Sequence, residues 1–120
     1  MFTVLFHIRT RPGLNTAAYE AEFVHMVETV SQIPGFVSID GFAGEDGSEL
    51  AVARFETEEA ITAWRNQPDH VLTRERGRRE FFSAYQITIA EEIYRYDWAL
   101  DKDGVEPSVS ARRRFAESPP

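Results

Sequence analysis

Apolar and polar residues alternate in four segments of the chain, and this pattern predicts β-strands. The first strand, residues 2–9, collects its larger apolar side chains on one face, which consists of Phe2, Val4, Phe6 and Ile8. Three further strands are predicted over residues 36–43, 48–55 and 83–97. The link between the second and third strands is short and contains glycine, so these two strands are expected to form a hairpin.

Helical periodicity predicts three helices between those strands. The first, over about residues 16–32, carries an apolar stripe and has a capping residue in Asn15 or Thr16. The second starts after Thr57, and the third runs from Pro68 to about residue 80. The resulting order β-α-β-β-α-α-β predicts an α+β, ferredoxin-like fold, in which an antiparallel four-stranded sheet has its helices on one face.

The end of the chain differs in composition from the rest. Residues 99–120 are rich in proline, serine, glycine and charged residues, and they lack apolar periodicity. We therefore predict a domain over residues 1–98, followed by a tail that is extended or disordered, or packed on a partner chain. If the tail is held in place, its expected anchors are Val105, Val109 and Phe115.

One face of the predicted sheet has no helices to cover it. It would expose Tyr94 and Tyr96 together with either Leu5 or the apolar row that begins at Phe2. An exposed apolar patch of that size usually marks an interface. Pairing with an identical chain would cover it, so a homodimer is expected.

Composition and charge limit the partners, metals and cofactors that can be expected. The net charge of −7 argues against a nucleic-acid partner. No apolar run reaches the length of a membrane span, and we expect a cytoplasmic protein without a membrane partner. The chain has no cysteine, and His7, His25 and His70 lack the spacing of metal ligands, so no metal site is expected. Glycine-rich phosphate loops are also absent from the sequence, which gives no support for a nicotinamide or flavin cofactor.

Several short motifs occur together in one order along the chain. They are Pro34-Gly35-Phe36, the turn Gly44-Glu45-Asp46-Gly47, Arg54-Phe55, the stretch from Trp64 to His70, Gly77-Arg78 and Phe81-Phe82. Over about residues 2–98 the chain resembles the antibiotic biosynthesis monooxygenase domain. The resemblance implies a dimeric α+β barrel. Members of that family include cofactor-independent oxygenases of aromatic polyketides, haem-degrading and quinol-directed enzymes, and proteins without an assigned activity.

The haem-degrading branch of the family has its own residue pattern. It uses an asparagine on the first strand, a tryptophan on the second helix and an axial histidine ten residues further on. Trp64 matches the tryptophan, but His7 stands nearest the asparagine position and Arg74 occupies the histidine position. Two of the three positions depart from the pattern, so no cofactor is expected, and haem is kept only as an alternative ligand.

Three residues of the second and third helices are candidates for a site. Trp64 is either an ordinary core aromatic or a wall on which a planar aromatic substrate stacks. His70 is either a capping or surface histidine or a neutral imidazole, kept neutral by the helix end, that acts as a base or donor. Arg74 is either an ion-pair partner or a donor to an anionic oxygen.

Other candidates come from the strands and the first helix. His7 is either a buried structural histidine or a second catalytic one, which would join Trp64 only if it faced the helices. Phe23 and Tyr85 are expected to pack in the core and to line the substrate pocket, with the Tyr85 hydroxyl donating into it. His25 lies off the apolar stripe of its helix and is expected to be solvated.

These residues lead to one main hypothesis and two alternatives. The main hypothesis is a homodimeric, cofactor-independent monooxygenase that uses molecular oxygen on a small aromatic substrate, a phenol or hydroquinone. The deprotonated substrate would pass an electron to oxygen, while the protein supplies a dry pocket, a base and an oxyanion donor. The first alternative is a non-catalytic protein that binds haem or a small aromatic ligand in the same pocket. The second is an isomerase of a small keto compound.

Overall fold

A computed structural model describes residues 1–100 and the backbone of residues 110–113. Two compact units are present, Met1–Ala90 and a second unit that begins at Glu91. In chain order the elements are β1 (Phe2–Thr10), α1 (Thr16–Ser31), β2 (Phe36–Ala43), β3 (Glu49–Phe55), α2 (Glu58–Asn66), α3 (Pro68–Arg76), a π-helical turn (Gly77–Phe81), β4 (Phe82–Glu91), β5 (Tyr94–Asp97) and β6 (Ser110–Arg113).

The first unit is built on a four-stranded antiparallel sheet. Its strand order is β2-β3-β1-β4, so β1 lies inside the sheet and β4 forms one edge. β1 and β3 pair with Val4 opposite Ala53, and β2 joins β3 as a hairpin with Ile39 opposite Ala53. This arrangement confirms the predicted ferredoxin-like α+β fold.

Side-chain caps fix where the helices begin. The Asn15 carboxamide oxygen accepts from the Ala18 N–H at 3.0 Å, and the Thr57 hydroxyl accepts from the Ala60 N–H at 3.1 Å. Both caps satisfy backbone donors that have no partner within the helix. The third helix begins at Pro68, as predicted, and its cap is the side chain of Gln67.

The core lies between one face of the sheet and the helices. Val4, on the face of β1 that begins with Phe2, is only 3% exposed. The other buried members of this core are Val30, Ala53, Phe55, Ala60, Ile61 and Trp64. Because side chains alternate along a strand, Leu5 and His7 lie on the opposite face, which we call the outer face.

The last predicted strand differs from the observed structure. The strand predicted over residues 83–97 is divided into β4 and β5, which belong to different sheets. β4 pairs with β1 alone, and the ladder cannot extend past the end of its partner at Phe2. The prediction that Tyr94 and Tyr96 lie on the uncovered face of the main sheet is therefore wrong, because both are part of β5.

The tail is only partly described. Its strand β6 pairs antiparallel with β5 of the same chain. Val105, Val109 and Phe115, the anchors expected from the sequence, lie outside the described residues. The division into a domain of residues 1–98 and a tail of residues 99–120 stays a prediction.

Candidate functional site

An apolar cavity lies between the inner face of the sheet and the helices. Its volume is about 80 Å³. The sheet, α1 and the segment after α3 supply its apolar walls, which include Val4, Phe6, Ile8, Phe23, Met26, Ile39, Ala51, Ala53, Phe81 and Phe82. Polar side chains of α2 and α3 reach the same cavity, and they are Trp64, His70, Thr73 and Arg74.

Trp64 contacts two other rings. It lies on the buried face of α2, where its ring stacks on Phe55 at 5.4 Å between centroids. The His70 ring is 4.5 Å from it. The indole Nε1 is buried and has no hydrogen-bond partner among the described residues. Since indole nitrogen can only donate, this wall of the cavity presents an unused donor.

His70 owes its position to the start of α3. Pro68 begins the helix, and the Gln67 side chain accepts from the His70 N–H at 2.8 Å. Burial, and after it the positive charge of Arg74, lower the pKa of His70 from 6.5 to about 4. The predicted neutral imidazole is supported, but burial rather than the helix end is its main cause. Its Nδ1 is buried without a partner among the described residues.

Arg74 follows His70 by one helical turn and lines the same cavity. Its Nε is buried and has no hydrogen-bond partner among the described residues. Guanidinium and indole groups only donate hydrogen bonds, and neutral imidazole offers one donor and one acceptor. Residues that line one apolar cavity thus carry three such buried atoms, and a ligand with an acceptor oxygen, preferably one with negative charge, would suit them.

Sequence reasoning missed an ion pair at the edge of the cavity. The Glu22 carboxylate, on α1, accepts from the Arg76 guanidinium at 2.6 Å and from the Thr73 hydroxyl at 3.1 Å. This pair links α1 to α3, and the positive charge of Arg76 balances the negative charge of Glu22. The partners are separated by 51 residues or more along the chain, so no local sequence pattern predicts the pair.

The structure brings together only some of the predicted site residues. Phe23 lines the cavity with Trp64, His70 and Arg74. Tyr85 lies outside its lining; it packs on Phe6 at 5.4 Å.

Tyr85 and His7 do not have the roles that the sequence predicted for them. The Tyr85 hydroxyl accepts from the Arg78 Nε at 2.5 Å instead of donating into the cavity. His7 is exposed on the outer face beside Leu5 and Leu50, so the sheet separates it from Trp64. His7 is therefore no candidate base for a ligand in this cavity.

Two further properties hold within the described part of the chain. No group of three His, Cys, Asp or Glu side chains there is arranged to hold a metal ion. No helix in the same part is long and apolar enough to cross a membrane. A cytoplasmic location stays a prediction.

Comparison with known proteins identifies the family. The sequence profile described as antibiotic biosynthesis monooxygenase matches residues 1–76, which include Trp64, His70 and Arg74. A curated relative is the uncharacterized protein YqjZ of Bacillus subtilis, 26% identical over 77 residues, which amount to 64% of this chain and 68% of the relative. The chain belongs to the antibiotic biosynthesis monooxygenase family.

Solved structures support the same fold. Rv0793 from Mycobacterium tuberculosis is 18% identical with a TM-score of 0.68, over 77% of this chain and 94% of that one. SnoaB from Streptomyces nogalater, described as a cofactor-independent oxygenase, is 16% identical with a TM-score of 0.65, over 76% of this chain and 91% of that one. At these identities the likeness shows the fold alone.

Proposed function

We propose that this protein is a cofactor-independent monooxygenase that acts on a small phenol or hydroquinone. The observation that carries the proposal is that Trp64, His70 and Arg74 all line one apolar cavity, and each carries a buried polar atom without a partner among the described residues. A phenolate oxygen would satisfy the two donors while its ring contacts the apolar walls. The description of SnoaB as a cofactor-independent oxygenase supports the same class of reaction.

In the first step, deprotonation of the substrate hydroxyl, each polar cavity residue has its own role. The neutral imidazole of His70 takes the proton from the substrate hydroxyl, and Arg74 and Trp64 donate to the resulting oxyanion. A pKa of about 4 makes His70 a weak base in the empty cavity. An adjacent phenolate favours the protonated imidazole, because opposite charges at short range stabilise each other.

The substrate itself supplies the electrons. Its anion passes one electron to molecular oxygen, and the radical pair then forms a carbon–oxygen bond at a ring carbon that bears hydrogen, para to the hydroxyl in a phenol and ortho to it in a hydroquinone. Loss of water breaks the O–O bond and the C–H bond at that carbon. One oxygen atom stays as the carbonyl of a quinone, the other leaves in water, and the four electrons come from the substrate. Exclusion of water by the apolar walls prevents the anion from being reprotonated.

We also propose that two copies of the chain pair through the outer face of the sheet. Leu5, Leu50 and Phe42 lie on this face around a shallow groove. Phe42 is 57% exposed. No described helix covers these residues, and pairing of identical faces is the usual way in which a chain covers such a surface.

Oxygen consumption with hydroquinones tests the proposed activity. His70→Ala should lower the protein-dependent rate about 10²–10⁴-fold, the usual contribution of a positioned acid or base. Arg74→Gln should lower it about 10²–10³-fold, as removal of an oxyanion donor does. His25→Ala is the matched control, because His25 is an exposed histidine of α1. Equal rates in wild type, His70→Ala and Arg74→Gln would contradict the proposed roles.

Binding of haem without turnover is the competing outcome. A Soret shift on addition of haemin, together with no oxygen consumption on phenols, would favour the ligand-binding alternative over the enzyme.

A further inference from the structure

The cavity alone is too small for an aromatic ring. Its volume is about 80 Å³, whereas an apolar protein cavity of about 150 Å³ holds benzene. A ring whose oxygen reaches Trp64 and Arg74 must therefore extend beyond the cavity. This step rests on the proposed function, since it takes the unpartnered donors as the place where the ligand oxygen binds.

A second space adjoins the cavity at its α1 side. This groove, of about 530 Å³, lies between α1 and the ends of β2 and β3 that are joined by the hairpin turn. Four residues line both spaces, and they are Ile8, Tyr19, Phe23 and Ala51. The Phe23 side chain, which is 38% exposed, is thus part of the boundary between the cavity and the groove.

The sheet side of the groove carries little side-chain volume. Gly41 lies opposite Ala51 in the β2–β3 ladder, and Ala43 lies opposite Glu49. The backbone of Gly41 is not in the left-handed region, and a Cβ added there would meet the Phe23 ring at 4.0 Å, an ordinary contact. The backbone therefore tolerates a side chain at position 41, and its absence leaves room for a ligand.

The groove also differs from the cavity in charge. The Tyr19 hydroxyl donates to the Glu49 carboxylate at 2.5 Å, and both residues are half-buried. A carboxylate has about four acceptor positions, so Glu49 retains acceptor capacity. Glu20 lines the groove as well, and its described lining contains no lysine, arginine or histidine. Arg74 lies in the cavity, so the two spaces favour opposite ends of a ligand.

We propose that the groove is a second ligand compartment, which selects planar ligands by the chemistry of the end that lies far from the reacting oxygen. Glu49 accepts from a hydroxyl or other donor at that end and disfavours a carboxylate there. The residue at position 41, a glycine, determines how large a ring system the groove accommodates.

Three probes separate the parts of this proposal. Phenol tests binding of a single ring whose oxygen reaches the cavity donors, 2-naphthol adds a second ring that must lie further into the groove, and 6-hydroxy-2-naphthoate adds a carboxylate at the far end. Calorimetric titration without oxygen measures their affinities in the absence of turnover. Wild type should bind 2-naphthol about tenfold more tightly than 6-hydroxy-2-naphthoate, because the groove carboxylates repel the second carboxylate. Equal affinities would overturn the proposal.

Substitutions in the groove test which residues cause the differences in affinity between the probes. Glu49→Gln, which still accepts from Tyr19, should reduce the difference between the two naphthalenes about fivefold. Gly41→Val should weaken 2-naphthol about tenfold more than it weakens phenol, since the second ring loses its space. Asp40→Val is the matched control, because position 40 alternates to the other face of the same strand.

The outcomes distinguish this inference from the proposed function. Phenol binding that is lost in Trp64→Phe, combined with no effect of Glu49→Gln and Gly41→Val, overturns the groove compartment alone. Failure of wild type to bind phenol overturns the ligand site itself, and the groove compartment with it.

Discussion

The proposed chemistry depends on three polar atoms that have no hydrogen-bond partner within the described part of the chain. Burial of an unsatisfied donor costs about 1–3 kcal/mol, and folded proteins usually avoid that cost. Trp64 and Arg74, which line the same cavity, each carry such an unsatisfied donor, and His70 lies between them in sequence. A ligand oxygen would recover this free energy on binding. The same reasoning explains why Trp64 is at once a member of the core and a wall of the site.

His70 should make stability depend on pH. Its pKa is about 4 in the folded protein and 6.5 in the unfolded reference. Between these values only the unfolded chain binds the proton, so stability is fully present above about pH 6.5 and falls as the pH approaches 4. With allowance for solvent screening of the partly exposed ring, the loss should be roughly 1–2 kcal/mol.

Urea unfolding of wild type and His70→Gln measures this effect. The wild-type free energy of unfolding should fall by more than that of the variant between about pH 7.5 and about pH 4.5. Carboxylates with lowered pKa values, such as Asp46, contribute equally to both proteins and cancel in the comparison. Parallel pH profiles would show that His70 is solvated and not held neutral by burial.

At the scale of elements, the end of α3 shapes the cavity. The α-helix stops at Arg76 and continues as a π-helical turn, which carries the buried Phe81. Gly77, the first residue of this turn, lines the cavity, and Phe82 follows the turn as the first residue of β4. A Cβ at position 77 would overlap the Phe82 ring. Glycine is therefore required here for close approach of an aromatic ring, not for a left-handed backbone.

Gly77→Ala should destabilise the protein despite the better helix propensity of alanine. The overlap with Phe82 should cost roughly 1–3 kcal/mol, which exceeds the gain of about 1 kcal/mol expected from propensity. Chemical unfolding measures the change. The double variant Gly77→Ala/Phe82→Leu should be less destabilised than the sum of the two single variants, because leucine relieves the overlap. Strict additivity would show that the two positions are not in contact.

At the scale of the whole molecule, the proposed assembly depends on the outer face. The proposed homodimer should have a mass of about twice 13.7 kDa in light scattering after size exclusion. Leu50→Glu places a charge on this face and should give a monomer that keeps its far-UV circular dichroism. Val24→Glu is the control, because Val24 is equally apolar and is 56% exposed on α1. A wild-type monomer would contradict the proposed pairing.

Much of the fold was predictable because its signals are local. Alternation in β1 separated its two faces but left open which of them the helices cover, and Asn15, Thr57 and Pro68 marked the helix starts that the structure shows. The division of the last predicted strand into β4 and β5 was not predictable from its own residues. It depends on where the neighbouring strand β1 ends, and alternation within residues 83–97 carries no information about that partner.

For the site, the sequence by itself determined which residues are chemically able to act, and the tertiary structure decided which of them meet. His70 and Arg74 lie one turn apart on α3, so sequence reasoning could place them together, whereas Trp64 lies on α2 and joins them only through the packing of the two helices. His7 and Tyr85 were assigned to the same site, but strand alternation and the position of β4 separate them from it. Glu22 and the groove beside Gly41 arise from contacts between distant segments. Only packing of the helices on the sheet brings such segments together.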